Sequence, residues 1–353
     1  SCSFDAGDIR QLYFVPDSWI LYRAIELPGL TSCGEFSVDA NKVNKFNISA
    51  LRDAFGNMTL SNLLIEELDL SRINFNGNTL TLQCNRLNKI VGSETFNGNL
   101  LLLPKNCRLT EFTLEGILNM QGNFECKDYF YVKRFIMPFV NVAGDITIAL
   151  NTGSVDTGAE IEFPKLQEIG GALTLGKNIN ANKIDFPLLK RILGSCSVTT
   201  SSLKDDIEFS NLESIGTEAG STQAEFNINK TNILCPKLKT IHGGVNIITD
   251  VAMFGMTANN ISYPNVESIS GDLSITCPFS AFGPNGIVSI DFSGLKSVKS
   301  INISGQGDIN NFSTFKYLFE NNILTEASQW DVTDCGYNPT YQDMKDGKYK
   351  PAE

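Results

Sequence analysis

Histidine is almost absent from this chain of 353 residues, which contains a single one, His242. A Ser–His–Asp triad has only one candidate base here, and a metal site built from several histidine ligands is excluded. His242 takes a corner position that Gly170 and Ser270 take in equivalent segments, so we expect a solvated side chain. Histidine-based catalysis therefore has no foundation in the sequence.

Closely spaced cysteine pairs are also missing, although the chain has nine cysteines. No CxxC motif occurs, which excludes zinc ribbons and thioredoxin-like redox sites. The number is odd and the chain is long, whereas disulfide-stapled scaffolds are short and denser in cysteine. Cys33, Cys126, Cys196 and Cys235 take positions that are apolar in equivalent segments, so we expect small buried hydrophobic residues there. Whether any cysteines pair is left open.

Positive charge is scarce, because 28 Lys and Arg face 39 Asp and Glu and the net charge is −11. Such an acidic surface repels phosphate backbones, so we expect no nucleic-acid partner. Long apolar runs are missing too, and none approaches the roughly 18 residues that a membrane-spanning helix needs. We expect no transmembrane segment in these residues, and a monomer.

The first residues, Ser1-Cys2-Ser3, are polar and do not form a signal peptide. We therefore expect secretion through a signal that was removed upstream. The expected location is extracellular or at the cell surface, on the outside of a bacterium. A small residue before Cys2 also matches the cleavage site of bacterial lipoproteins, which leaves an upstream lipid anchor open.

What the chain does contain is a repeat, clearest in FPKLQEIGGALTL between Phe163 and Leu175. The pattern is an aromatic residue or Cys, often Pro, then Leu, a key Ile, a Gly two residues later and an apolar–polar–apolar segment. It returns in the segments that begin at Phe186, Cys235 and Tyr263. The key positions lie about 20 to 29 residues apart, the spacing of leucine-rich repeats, and predict about twelve coils. They are Cys33, Phe55, Phe75, Phe96, Met120, Val142, Ile169, Ile192, Ile215, Ile241, Ile269 and Val298.

A short alternating segment follows each key residue, with a polar side chain between two apolar ones. This period of two indicates a strand that is buried on one side. Each coil then adds one parallel strand about 4.8 Å from the last, and the segments between these strands are read as loops or single helical turns. The predicted inward pairs are Phe36/Val38, Met58/Leu60, Leu80/Leu82, Leu100/Leu102, Phe124/Cys126, Ile146/Ile148, Leu173/Leu175, Cys196/Val198, Phe226/Ile228, Val245/Ile247, Leu273/Ile275 and Ile301/Ile303.

The predicted fold is therefore mainly β with few short helices: a right-handed parallel β-solenoid, leucine-rich-repeat-like, of about twelve irregular coils. The Leu three residues before each key faces the core. The Gly after the key, as at Gly122 and Gly144, marks a corner that needs positive φ or close backbone approach.

The open ends of such a stack need caps, because they expose apolar surface and strand edges. We predict an N-terminal cap or partial first coil over residues 1–26 and a single continuous solenoid over residues 27–313. A C-terminal cap and tail follow over residues 314–353, with the polar segment from Tyr337 packed loosely.

The motifs FPKLQEIGGALTL, CPKLKTIHGGVNII and YPNVESISGDLSI resemble the receptor L-domain repeat. That irregular leucine-rich-like solenoid occurs in insulin- and epidermal-growth-factor-receptor ectodomains and in fungal wall proteins. In the first half, Asp53-Ala54-Phe55-Gly56-Asn57, Glu94-Thr95-Phe96-Asn97-Gly98 and Leu103-Pro104 are similar to BspA-type leucine-rich repeats of bacterial surfaces.

The resemblance spans residues 27–305 and implies a β-solenoid with a binding role. Members of these families bind hormones, matrix proteins or glycans. The cysteine-rich modules of the receptors and the Ser-rich tail of the fungal proteins are missing from the sequence, which favours the bacterial type.

The middle residue of each alternating segment faces outward, and in nearly every coil it is small and polar. We predict that these residues form a ladder on the exposed sheet face and bind the partner through neutral hydrogen bonds. The candidate binding residues are Ser37, Thr59, Thr81, Glu125, Thr147, Thr174, Ser197, Asn227, Asn246, Ser274 and Asn302, and Leu101 takes the same position.

The alternative function is that of a carbohydrate-active parallel β-helix enzyme, a polysaccharide lyase or hydrolase. Such enzymes need paired carboxylates or basic groups along one sheet face. Glu125 is the one acid in the ladder, and Asp145 lies on the next coil in the neighbouring column. We therefore expect no enzyme activity, no catalytic residue, no cofactor and no metal. The favoured function is adhesion or recognition of a protein or glycan by a non-enzymatic repeat protein.

Overall fold

The structure, a computed structural model, describes residues 2–3, 8–14, 23–103, 107–128, 130–150, 159–176, 181–199, 207–218, 224–229, 233–248, 259–277, 287–307 and 309–351. It confirms the fold class: a mainly β parallel solenoid of about eight turns, with 47% of residues in strands and 6% in helices. The chain divides into two compact units. Unit 1 comprises Ser1–Phe186 and Ser202–Asp205, and unit 2 comprises Pro187–Ser201 and Asp206–Glu353. The predicted domain boundaries remain a prediction.

Unit 1 is built from short strands: β1 (Cys2–Ser3), β2 (Asp8–Phe14), β3 (Ala24–Glu26), β4 (Ser32–Asp39), β5 (Lys45–Asn47), β6 (Asp53–Ala54), β7 (Met58–Ser61), β8 (Glu67–Asp69), β9 (Thr79–Gln83), β10 (Lys89–Val91), β11 (Thr95–Phe96), β12 (Asn99–Leu102), β13 (Cys107–Glu115), β14 (Asn119–Met120), β15 (Phe124–Asp128), β16 (Phe130–Ile136), β17 (Asn141–Val142), β18 (Ile146–Leu150), β19 (Ala159–Glu162), β20 (Glu168–Ile169), β21 (Leu173–Leu175) and β22 (Ala181–Asp185).

These strands form parallel sheets in which each coil pairs with its neighbours. The long sheet has the order β2-β4-β7-β9-β12-β15-β18-β21, with β6 also paired to β4. The second sheet has the order β8-β10-β13-β16-β19-β22, the third has β11-β14-β17-β20, and β1, β3 and β5 form a smaller sheet.

Unit 2 continues with β23 (Arg191–Ile192), β24 (Cys196–Thr199), β25 (Ile207–Glu208), β26 (Ser214–Ile215), β27 (Ala224–Asn229), β28 (Ile233–Leu234), β29 (Thr240–Ile241), β30 (Gly243–Ile248), β31 (Asn259–Ser262), β32 (Ser268–Ile269), β33 (Asp272–Cys277), β34 (Ile287–Asp291), β35 (Ser300–Gly307), α1 (Lys316–Glu320), β36 (Trp330–Cys335) and α2 (Tyr341–Lys345). Single 3-10 turns cover Ser313–Phe315 and Ala327–Gln329. Its long sheet has the order β24-β27-β30-β33-β35-β36, beside the sheet β23-β26-β29-β32 and the pairs β25-β28 and β31-β34.

The predicted inward side chains form the core of the long sheets. Each one that the structure describes exposes no more than 3% of its surface, while the side chain of Ile228 lies outside the described residues. All twelve predicted strands are present, from β4 to β35. The solenoid nevertheless has about eight turns rather than twelve. In unit 1, the long sheet has more strands than the second or the third sheet. The number of long-sheet strands therefore exceeds the number of complete turns.

Aromatic rings stack from coil to coil behind the sheets. In unit 1, Phe163 and Phe186 are stacked with their centroids 4.7 Å apart. In unit 2, the ring of Tyr263 lies 5.6 Å from that of Phe292. Buried aromatic pairs of this kind add to the hydrophobic stabilisation, so the Phe or Tyr that opens each repeat holds successive coils together.

One predicted key residue is wrong. Phe55 exposes 64% of its surface, whereas Ala54 is fully buried and pairs with Cys33. With Ala54 as the key, Cys33, Ala54 and Phe75 are each separated by 21 residues. A shift by one residue turns side chains to the opposite face of a strand, and two adjacent apolar residues left the choice of face undetermined.

The segments between the predicted strands are also not what we expected. Predicted as loops or single helical turns, they contain the second and third sheets. Key residues such as Ile169 and Val142 form two-residue strands with the residue before them. Strands this short carry no measurable alternation, because the period of two needs several residues to be seen.

The glycine after the key residue allows close approach of coils. A methyl group at Gly122 would overlap the carbonyl oxygen of Gly98, and one at Gly144 would lie 2.7 Å from the carbonyl carbon of Gly122. Neither Gly122 nor Gly144 has a positive φ. Of the two predicted reasons for glycine, close backbone approach is the one that operates here.

The C-terminal tail packs closely, contrary to the prediction. Met344 of α2 is fully buried, and the Trp330 Nε1–H donates to the Pro339 carbonyl oxygen at 2.8 Å. The Trp330 ring lies 5.1 Å from that of Phe319 in edge-to-face geometry. The polar composition of the tail concealed these contacts, which pack the tail against the core of unit 2.

Candidate functional site

The ladder of unit 1 lies on the outer face of the long sheet. Its members are direct cross-strand neighbours, in the order Ser37, Thr59, Thr81, Leu101, Glu125, Thr147, Thr174. Each side chain is half-buried, because neighbours about 4.8 Å away cover its flanks. The structure therefore brings these residues together as the alternation predicts, in one column of five hydroxyl groups that Leu101 and Glu125 interrupt.

The ladder of unit 2 has the same construction with amides in place of most hydroxyls. The column runs Ser197, Asn227, Asn246, Ser274, Asn302. Asn302 is exposed and the other four are half-buried. Amide and hydroxyl groups can donate and accept hydrogen bonds, so this column can match either kind of group on a partner.

Each column has a further member that the sequence analysis missed. Tyr13 pairs with Ser37, and Asp331 pairs with Asn302. Tyr13 exposes 55% of its surface, and a hydrogen bond with the Glu35 carboxylate raises the pKa of its hydroxyl. The signal was available, since Leu12 and Trp330 continue the inward positions of Phe36 and Ile301.

The acid of the ladder is paired within its own strand. The Glu125 carboxylate lies 2.5 Å from the Lys127 ammonium group, and both side chains are partly exposed. An exposed pair of this kind contributes about 0–1 kcal/mol. The pair neutralises the one acid of the column.

Asp145, the second carboxylate considered for catalysis, has a structural partner. Its Oδ1 accepts the Ala172 N–H at 2.7 Å. The same corner carries equivalent bonds on earlier coils, where Asn123 Oδ1 accepts the Asp145 N–H and Asn99 Oδ1 accepts the Asn123 N–H, each at 2.8 Å. This chain of side chain to backbone bonds holds the coil corners together.

His242 lies at a corner of unit 2, where the sequence predicted it. Its side chain is half-buried. Its backbone N–H donates to the Ile215 carbonyl oxygen at 2.8 Å, and its carbonyl oxygen accepts the Ala224 N–H at 3.2 Å. Through these two bonds, the backbone of His242 takes part in the hydrogen bonding between successive coils.

The four cysteines predicted as core residues are buried. Burial raises the pKa of the Cys33 thiol to about 11 and that of Cys196 to about 12. It also raises the pKa of Cys126 and Cys235. A thiol with a raised pKa carries little thiolate at neutral pH and is a poor nucleophile or metal ligand.

In the part of the chain that the structure describes, no group of three or more His, Cys, Asp or Glu side chains is arranged to hold a metal ion. In the same residues, the helices are too short and too polar to cross a membrane. Comparison of the chain with protein-family models, curated proteins and solved structures finds no match in any of the three.

Proposed function

We propose that this chain is a non-enzymatic binding protein that presents the outer face of its long sheet to a protein or glycan. The observation that carries the proposal is the column of mostly neutral polar side chains in each unit, with neighbours in direct cross-strand register, which Leu101 and Glu125 interrupt in unit 1. A rigid sheet positions such groups at a fixed spacing, and hydrogen bonds along it provide specificity without strong charge.

The exposed Tyr13 at one end of the unit 1 column supports the same function. An aromatic ring with a polar tip supplies large contact area at low entropic cost, and tyrosine is enriched at binding surfaces for that reason. Tyr13 therefore extends the ladder with a side chain suited to stacking on a sugar ring or an apolar side chain.

The relationship proposed for the chain is with receptor L-domain and BspA-type repeats, and the proposed location is extracellular, at a bacterial surface. Both rest on the repeat motifs around Phe163 and Tyr263. Antibody labelling of intact cells of the source organism tests the location. Labelling that appears only after the cells are opened would overturn it.

The test of the ladder is a binding screen against immobilised polysaccharides and extracellular-matrix proteins. Thr59→Glu places a longer, charged side chain in the unit 1 column and is expected to weaken binding about tenfold, a loss of about 1.4 kcal/mol. Thr113→Glu is the matched control, because Thr113 is also half-buried but lies on the second sheet beside Lys89. If the two variants weaken binding equally, the ladder is not part of the binding site.

The same screen separates binding from the carbohydrate-active alternative. Bound polysaccharide is recovered and assayed for new reducing ends and for unsaturated products. We expect binding without cleavage. Product release that requires Glu125 or Asp145 would replace the proposed function with polysaccharide hydrolysis or elimination.

A further inference from the structure

The long sheet of unit 2 ends in an open strand edge. β36 pairs with β35 on one side, and among the described residues no strand pairs with its other side. A cleft of about 510 Å³ adjoins it, lined by Trp330, Asp331 and Val332 of β36 and by the segment from Asn338 to Gln342. This volume is within the range of ligand-binding clefts.

The repeat indicates which backbone groups face the cleft. In the long sheets the N–H of an inward residue donates to the following coil, as Phe124 N–H does to the Asp145 carbonyl oxygen at 2.8 Å. Val332 is an inward residue, because it pairs with Ile303. No described strand pairs with β36 on that side, so the N–H and C=O of Val332 face the open edge.

Most polar side chains that line the cleft are already engaged within the cap. The bonds are those of Asn338 with the Cys335 backbone, Thr340 with Asp343, the Tyr341 hydroxyl with the Leu324 carbonyl oxygen, and Gln342 with Asp346. The exposed Asp331 differs, since the described residues offer its carboxylate neither an ion pair nor a hydrogen bond. The cleft therefore presents a strand edge and one negative charge.

We propose that this cleft binds an extended peptide that carries Lys or Arg and adds to β36 as a further strand. Main-chain bonds to Val332 supply the pairing, and a basic side chain opposite Asp331 forms a cross-strand ion pair. A glycan would need free side-chain donors, most of which are taken. A second copy of β36 would bring two Asp331 carboxylates opposite each other when the pairing is centred on Asp331, and like charges in opposing positions are destabilising.

The test uses the full chain and a fluorescein-labelled hexapeptide, Val-Lys-Val-Lys-Val-Lys, followed by fluorescence anisotropy at low salt. Three further peptides are compared: one with Glu in place of Lys, and two that are N-methylated at the Val or at the Lys amides. The Lys peptide is expected to bind at least about tenfold more tightly than the Glu peptide and than one of the methylated peptides, because backbone pairing and the charge of Asp331 are both required.

Asp331→Asn is expected to weaken binding of the Lys peptide severalfold and to reduce its advantage over the Glu peptide, of which the net charge of −11 sustains the remainder. Asp334→Asn is the matched control, since Asp334 is an exposed acid on the same strand and does not line the cleft. If the two substitutions weaken binding equally, the Lys peptide is attracted by the general negative charge of the chain and not by Asp331, and the proposal is overturned.

Three other results would also overturn it. The first is that the Lys peptide does not bind at about 1 mM. The second is that both methylated peptides bind as tightly as the Lys peptide. The third is that sedimentation velocity shows a dimer of the chain that does not bind the peptide. The site goes beyond the proposed function and shares only Asp331 with the unit 2 column. Thr59 belongs to the unit 1 column, so Thr59→Glu should leave peptide binding unchanged, and a failure of the ladder test at Thr59 does not carry over to the peptide site.

Discussion

At the scale of single residues, the buried thiols are the clearest link between sequence and measurable behaviour. Cys33 exposes 1% of its surface and Cys196 none. The sequence predicted their burial because they take apolar positions of the repeat. Removal from water disfavours the thiolate, which raises the pKa of Cys33 to about 11 and that of Cys196 to about 12.

These shifts predict a loss of stability in alkali. Below the unfolded-state pKa, near 9, Cys196 is protonated in both states and its contribution is complete. Above that pH the unfolded chain releases the proton while the folded chain keeps it. The free energy of unfolding therefore falls as the pH rises towards the folded pKa, by about 1.4 kcal/mol per pH unit for such a thiol.

Urea unfolding between pH 7.5 and 10.5 checks this prediction. Cys196→Ala should show a shallower decline than the unmodified chain. Val198→Ala is the control, because it opens a cavity on the same strand without removing a thiol, so it should lower stability at every pH and keep the slope. An unchanged slope in Cys196→Ala would mean that the thiol ionises in the folded state.

At the scale of the element, the corrected register of β6 makes a second prediction. Phe75 is fully buried and packs against Phe96 at 4.8 Å, whereas Phe55 exposes 64% of its surface. Phe75→Ala should lower the free energy of unfolding by about 3–5 kcal/mol, the usual cost of removing a buried ring. Phe55→Ala should change it by less than about 0.5 kcal/mol.

Thermal or urea unfolding of both variants measures the difference. If Phe55→Ala were the more destabilising of the two, the originally predicted register would be correct.

The predicted elements show where sequence reasoning was sufficient. Alternation over three residues located the long-sheet strands, as at Leu80 and Leu82, because a misplaced register would bury polar side chains. The third sheet escaped detection, since a strand such as β20 has two residues and no period. The sequence correctly placed Ile169 of this strand in the core, but it gave no indication that Ile169 belongs to a sheet.

The candidate site was predictable to the same extent. The ladder follows from alternation, so Thr59 and Asn246 were placed on the outer face without a structure. The cleft beside β36 was not predictable, because it depends on how the polar tail returns to Trp330. Contacts of this kind are set by tertiary packing, which leaves no periodic signal in the sequence.

At the scale of the whole molecule, the C-terminal segment is expected to protect unit 2 from association. Deletion of residues 309–353 would remove β36 and uncover the edge of β35, whose partner it is. Exposed edges of flat parallel sheets pair with other chains, and the β35 edge has the neutral Asn302 where the β36 edge has the charged Asp331. Light scattering after size-exclusion chromatography should show oligomers or aggregates for this truncation, and monomers for deletion of residues 351–353 alone.

A truncated chain that stays monomeric and keeps the melting temperature of the full chain would contradict this role for the cap. A second measure is Trp330→Ala. This substitution removes the ring that contacts Phe315 and Phe319. Because it leaves a cavity where a buried aromatic ring was, it should lower the free energy of unfolding by about 3–5 kcal/mol.

The coil-to-coil pairing of the long sheet in unit 1 also has a mechanical consequence. Among the described strands, hydrogen bonds there join each coil to the coil before and the coil after it. Tension applied through the two ends of the chain would break them one layer at a time, so the force needed would stay low and the extension would grow in steps. A layer of 21 residues, such as Ala54 to Phe75, would lengthen the chain by about 70 Å at each step. A sudden force would therefore unfold some layers while the others keep their structure.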